Sequence, residues 1–125
     1  MLCWAIHRLN GICLLIHPTS SLVEITSHVK KAKCGTIFTG HPLVSSCIQA
    51  AAQLSIPLDR IYTLTMPEAF VGVPEPTDHE FKSVDEMITE GSQLQPLEPS
   101  IWKSGQGREQ IAYLCATSGT SGKQV

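Results

Sequence analysis

At 125 residues, with 42% apolar side chains and a formal net charge of −2, the chain has the size of one globular domain and enough apolar material to bury a core. That charge balance, without any basic stripe, excludes an electrostatic nucleic-acid binder. The apolar run Ile12 to Ile16 is too short to span a bilayer, and it lacks the leading charge and small-residue cleavage site of a signal peptide.

Leu2, Ala5, Ile6 and Leu9 recur at helical spacing, and Asn10-Gly11 stops the helix, with glycine placed for a left-handed cap. Ile12 to Ile16 then reads as a strand buried on both faces of a parallel sheet, ended by His17-Pro18-Thr19. Ser21 and Glu24 form a capping box, and Leu22, Ile25, Val29 and Ala32 form the apolar stripe of the helix that follows. Lys30, Lys31 and Lys33 crowd the last turn, where they suit the helix dipole as a solvated end better than they suit a phosphate patch.

Thr36 to Thr39 supplies a second strand, and Gly40-His41-Pro42 turns into a helix whose buried side is Leu43, Val44, Cys47, Ile48, Ala51 and Leu54. Ala50-Ala51-Ala52 predicts close packing of that helix on a sheet. Arg60 to Leu64 reads as a third strand, so residues 1–65 repeat a strand–helix unit, the pattern of an α/β fold with a largely parallel sheet and flanking helices. The stretch 66–110 reads as a loop-rich connection. Within it, Met66 to Phe81, with Pro67, Pro74 and Pro76, is expected on the surface. Ser83 and Glu86 form a second capping box, opening a short helix that buries Val84, Met87 and Ile88 and stops at Gly91. Pro96 and Pro99 bound a further loop running past Trp102, and loops of this length point to a larger parent architecture.

Residues 111–125 carry the chemistry. An apolar strand, Ile111 to Cys115, leads into Thr117-Ser118-Gly119-Thr120-Ser121-Gly122-Lys123, where nearly every side chain is a short hydroxyl or absent. Backbone amides and hydroxyls brought together on such a loop suit a polyanion such as a nucleoside triphosphate. A Walker A loop is excluded, because two residues rather than four separate Gly119 from Gly122 and Gln124 stands where a magnesium-binding hydroxyl is required.

The five cysteines, Cys3, Cys13, Cys34, Cys47 and Cys115, are odd in number and scattered through apolar runs, so they read as free thiols of a reducing compartment and point to the cytoplasm. Neither they nor the five histidines adopt metal-ligand spacing, and no metal site held by this chain is expected.

The order Ser118-Gly119-Thr120-Ser121-Gly122 resembles the phosphate-binding loop of the adenylate-forming, AMP-dependent enzymes, in which the loop also follows a strand. Upstream, Trp4 to Gly11, Pro18-Thr19-Ser20-Ser21 with Glu24, and Lys33 to Thr39 are similar, in order and spacing, to segments of acyl-CoA synthetases of the 4-coumarate-CoA ligase type. One departure is plain: Val125 stands where the family carries its loop lysine, with Lys123 two positions earlier as a substitute helper. The resemblance implies that residues 1–125 are an internal fragment of the AMP-binding N-terminal domain of such an enzyme. It implies a ligase that uses ATP, Mg2+ and CoA: a carboxylate attacks the α-phosphate to give an acyl-adenylate, and a thiol then takes the acyl group. Thr117, Ser118, Gly119, Thr120, Ser121 and Gly122 would bind the β- and γ-phosphates, with no catalytic base drawn from this segment. The adenine, magnesium and ribose contacts and the mobile lysine of the family have no counterpart here, so the fragment is expected to be inactive alone. The resemblance leaves the acid open among fatty, aryl and amino acids, and allows a peroxisomal location for an intact relative. The alternative reading is a non-catalytic α/β interaction module or gene remnant that meets a protein partner through an exposed sheet edge.

Overall fold

The computed structural model describes residues 1–66 and 81–116. In chain order the elements are α1 (Leu2–Arg8), β1 (Cys13–Leu15), α2 (Leu22–Ala32), β2 (Ile37–Gly40), α3 (Val44–Leu54), β3 (Ile61–Leu64), α4 (Val84–Gly91), α5 (Gln106–Glu109) and β4 (Tyr113–Cys115). Short 3-10 turns at His41–Leu43 and Leu58–Arg60 lead into α3 and β3. The alternation of helix with parallel strand expected from the sequence is present, but among the described residues the strands form two two-stranded parallel ladders, β1 with β4 and β2 with β3, rather than the one sheet expected. Most of the connection 66–81 lies outside the described residues.

The chain divides into two units, one built from Pro18–Gln95 and the other from Met1–His17 with the described residues from Pro96 on. The first is a β–α–β unit extended by two further helices. Ile37 faces Ile61 and Phe38 faces Tyr62 in the ladder, and the Phe38 and Tyr62 rings stack with centroids 5.2 Å apart. Val44, Ala51, Ile61 and Phe81 form the core, with Ile37, Ile48 and Ile56 packed against them. Ala50 and Ala51 are both fully buried, so α3 packs closely there, whereas Ala52, the third alanine of the run, is exposed. Phe81 is a correction: expected at the end of a surface connection, it is 8% exposed and part of the core. It stands just ahead of a parallel bridge between Thr63 and Ser83, where the Thr63 amide donates to the Lys82 carbonyl at 3.1 Å and draws the backbone onto β3.

Both capping boxes form. The Ser21 hydroxyl accepts from the Glu24 amide while the Glu24 carboxylate accepts from the Ser21 amide at 2.8 Å, and Ser83 and Glu86 repeat the arrangement at α4. The Ser21 amide and then its hydroxyl hold the Glu24 carboxyl below the ordinary carboxylate range. The apolar face of α4 is shallower than expected, because Ile88 is exposed while Val84 and Met87 are half-buried.

In the other unit, α1 ends in a Schellman turn: the Asn10 amide donates to the His7 carbonyl and the Gly11 amide to the Ile6 carbonyl at 2.9 Å. The left-handed residue is Asn10, at φ 59°, not Gly11. The expected apolar stripe of α1 is also displaced, since Leu9 is 68% exposed and Ala5 is exposed, while Leu2, Cys3, Ile6 and His7 are half-buried. β1 is not buried on both faces. Cys13 is buried but Leu15 is 52% exposed, because among the described residues β4 is its only partner strand. The polar segment after Trp102, expected as loop, contains a helical turn, α5; the Lys103 amide donates to the Gln106 side chain at its start, at 3.0 Å.

Candidate functional site

The expected strand ahead of the hydroxyl-rich loop is β4. It runs parallel to β1 with Cys13 opposite Tyr113, Leu14 opposite Leu114 and Leu15 opposite Cys115. Three residues paired on one edge make a weak element, since an isolated two-stranded ladder is marginal in water. Side chains of α1 reinforce it. The Ala112 carbonyl, just before β4, accepts from the Cys13 amide at 2.9 Å and is also 2.9 Å from His7 Nε2, so the ring presents the N–H at that nitrogen. Both lone pairs of that carbonyl are then used. The next ring, Tyr113, meets His7 edge to face, with centroids 4.7 Å apart and planes at 89°.

Cys3 lies one turn before His7, and its thiol interacts with both Cys13 and the Tyr113 hydroxyl. Burial, then the Cys3 thiol, raises Cys13 above the ordinary thiol range; partial loss of water, then Cys3, raises Tyr113. Arg8, beside His7, donates to the carbonyls of Leu97 and Glu98 and to the Ser100 hydroxyl, fixing the connection that runs toward β4. None of Cys3, His7 and Arg8 stood out as functional in the sequence. The available signal was the four-residue interval between Cys3 and His7 on a helix that directly precedes a strand.

Thr117, Ser118, Gly119, Thr120, Ser121, Gly122 and Lys123 lie outside the described residues. Among the described residues no three His, Cys, Asp or Glu side chains gather to hold a metal ion. All five cysteines are free. Lys30 and Lys31 are exposed in the last turn of α2, as a solvated helix end. No described helix is long and apolar enough to cross a membrane.

Comparison with known proteins is consistent across nearly the whole chain. The chain is 57% identical over 123 residues to the acyl-CoA ligase easD of Emericella nidulans, covering 98% of this chain and 22% of that protein. It is 48% identical over 125 residues to the acyl-CoA ligase cm3C of Cordyceps militaris, covering 99% of this chain and 20% of that one. The AMP-dependent ligase vlmC of Lecanicillium is 33% identical over 128 residues, with 99% and 22% covered. No protein-family model matches the chain. No solved structure matches it either. The chain thus spans about a fifth of the length of the curated relatives it matches. Identity of this order over practically every residue makes the chain a homologue of one segment of the AMP-dependent acyl-CoA ligases.

Proposed function

We propose that these residues contribute the triphosphate-binding loop of an ATP-dependent acid–thiol ligase. The single observation that carries this reading is the parallel strand β4, which ends at Cys115, two residues before Thr117-Ser118-Gly119-Thr120-Ser121-Gly122 begins. A loop leaving the C-terminal end of a parallel strand is where α/β sheets place anionic ligands. In this reading, amides and hydroxyls of Thr117 to Gly122 hold the β- and γ-phosphates, and Lys123 adds a cation. The substrate carboxylate is already ionised and attacks the α-phosphate without a base from this segment, and pyrophosphate leaves; the thiol of CoA, losing its proton, then takes the acyl group of the adenylate, and AMP leaves. Magnesium reaches the site with the nucleotide. The domain assignment is part of the same proposal: residues 1–125 correspond to a piece of the AMP-binding domain, in a reducing compartment that suits the free cysteines. No observation favours an interaction module, and the relatives named are all ligases.

The test is calorimetric titration of ATP. Gly119→Ala and Thr120→Ala each weaken binding if the loop holds phosphate and leave it unchanged if the loop does not. Carboxylate-dependent ATP–pyrophosphate exchange is expected from a longer chain containing this segment and not from the 125 residues by themselves. Robust exchange by the segment alone with a fatty or aromatic acid overturns the division of labour proposed.

A further inference from the structure

We propose that His7 is a positioning residue for the phosphate loop, fixing the register of β4 and thereby the point from which the chain enters Thr117 to Gly122. The inference rests on the ATP-loop reading and adds to it a residue from the far end of the sequence. A three-residue ladder on one edge specifies register poorly, and a slip by one residue turns every side chain to the opposite face. His7 recognises two consecutive positions in different ways: its Nε2 pairs with the Ala112 carbonyl at 2.9 Å, and its ring meets the Tyr113 ring at 4.7 Å. Only one register offers both partners, because a slip would send the residue 113 side chain away from α1. A one-residue slip moves the strand end by about 3.3 Å, whereas hydrogen bonds to phosphate tolerate only about 0.5 Å of variation. The helix that carries His7 is closed by its Schellman turn, and Arg8 on it bonds to Leu97, Glu98 and Ser100.

The experiment compares ATP affinity, by calorimetry on the whole protein, for the wild type, His7→Gln, His7→Leu and Gly119→Ala. Ile48→Val, a truncation beside the Val44/Ile61 core, serves as a stability control. His7→Leu weakens ATP binding about five- to tenfold, the scale of one net hydrogen bond. His7→Gln, which keeps an N–H donor at similar reach, restores most of it, and Ile48→Val changes melting temperature without changing affinity. If His7→Leu does not fold, Tyr113→Leu takes its place and weakens binding in the same direction. Wild-type affinity in His7→Leu alongside a weakened Gly119→Ala overturns the role of His7 and leaves the loop reading standing. Equal weakening by Ile48→Val, or no rescue by glutamine, reduces His7 to a structural contact and also overturns it. ATP binding that is absent, or indifferent to Gly119→Ala, overturns the loop reading and the role of His7 with it.

Discussion

Gly11 lies against Ile6 so closely that a Cβ added to it would stand 2.6 Å from Ile6 Cγ2 and 3.0 Å from the Ile6 carbonyl oxygen. The side chain can rotate away, but the carbonyl cannot, because it accepts the Gly11 amide that closes α1. Gly11→Ala therefore destabilises the chain by about 1–3 kcal/mol, the usual cost of overpacking. Urea denaturation checks this, and a midpoint equal to wild type would show that the turn relaxes freely.

Lys33 and Ser55 end α2 and α3 in the left-handed region, at φ 53° and 56°. A side chain there costs roughly 1–2 kcal/mol that glycine avoids, although glycine loses some of the gain to its freer unfolded chain. Ser55→Gly is expected to stabilise by about 0.5–1 kcal/mol, raising the thermal midpoint. A lowered midpoint would mean that the serine side chain is needed for the cap.

Ile61 is 1% exposed and central to the core it shares with Val44, Ala51 and Phe81. Ile61→Ala costs about 2–5 kcal/mol and should broaden or abolish cooperative unfolding. Phe81→Ala should cost a similar ~3–5 kcal/mol, against at most a few tenths expected of a surface residue. Paired denaturation curves distinguish these outcomes.

The Glu24 carboxyl is held below its ordinary range by the Ser21 amide and hydroxyl. A group whose folded value is depressed contributes stability above its unfolded value, near pH 4.3, and loses it as pH falls through the folded value. Thermal midpoints measured from pH 7 to pH 3 should fall more steeply in the wild type than in Glu24→Gln, which keeps an acceptor for the Ser21 amide but cannot titrate there. Parallel curves would remove the carboxylate from the acid response.

Local chemistry made much of the fold readable. Ser21 with Glu24 and Ser83 with Glu86 specify their helix starts through bonds made within four residues, and both stand where the sequence puts them. The strands at Ile37, Ile61 and Tyr113 follow from short apolar runs between turn residues, and the parallel pairing of β2 with β3 follows from the helix α3 between them. What was misread depends on neighbours distant in sequence. Phe81 looks like loop because its partners are on α3 and β3, and Leu15 looks buried because an apolar run does not reveal how many partner strands it meets. Of the candidate site, the hydroxyl-rich loop was legible as chemistry, whereas the support that His7, Cys3 and Arg8 give to β4 was not. A histidine on a half-buried helix face carries no mark of the carbonyl it will find.

That carbonyl is 105 residues away in sequence. The unit formed by Pro18–Gln95 is continuous in sequence and can condense as it is synthesised, but β1, whose partner among the described residues is β4, must wait for that strand to form its ladder. The chain thus assembles from the middle outward. On the ribosome, α1 and β1 emerge about a hundred residues ahead of β4, and until it follows they are a short apolar hook that a chaperone would recognise.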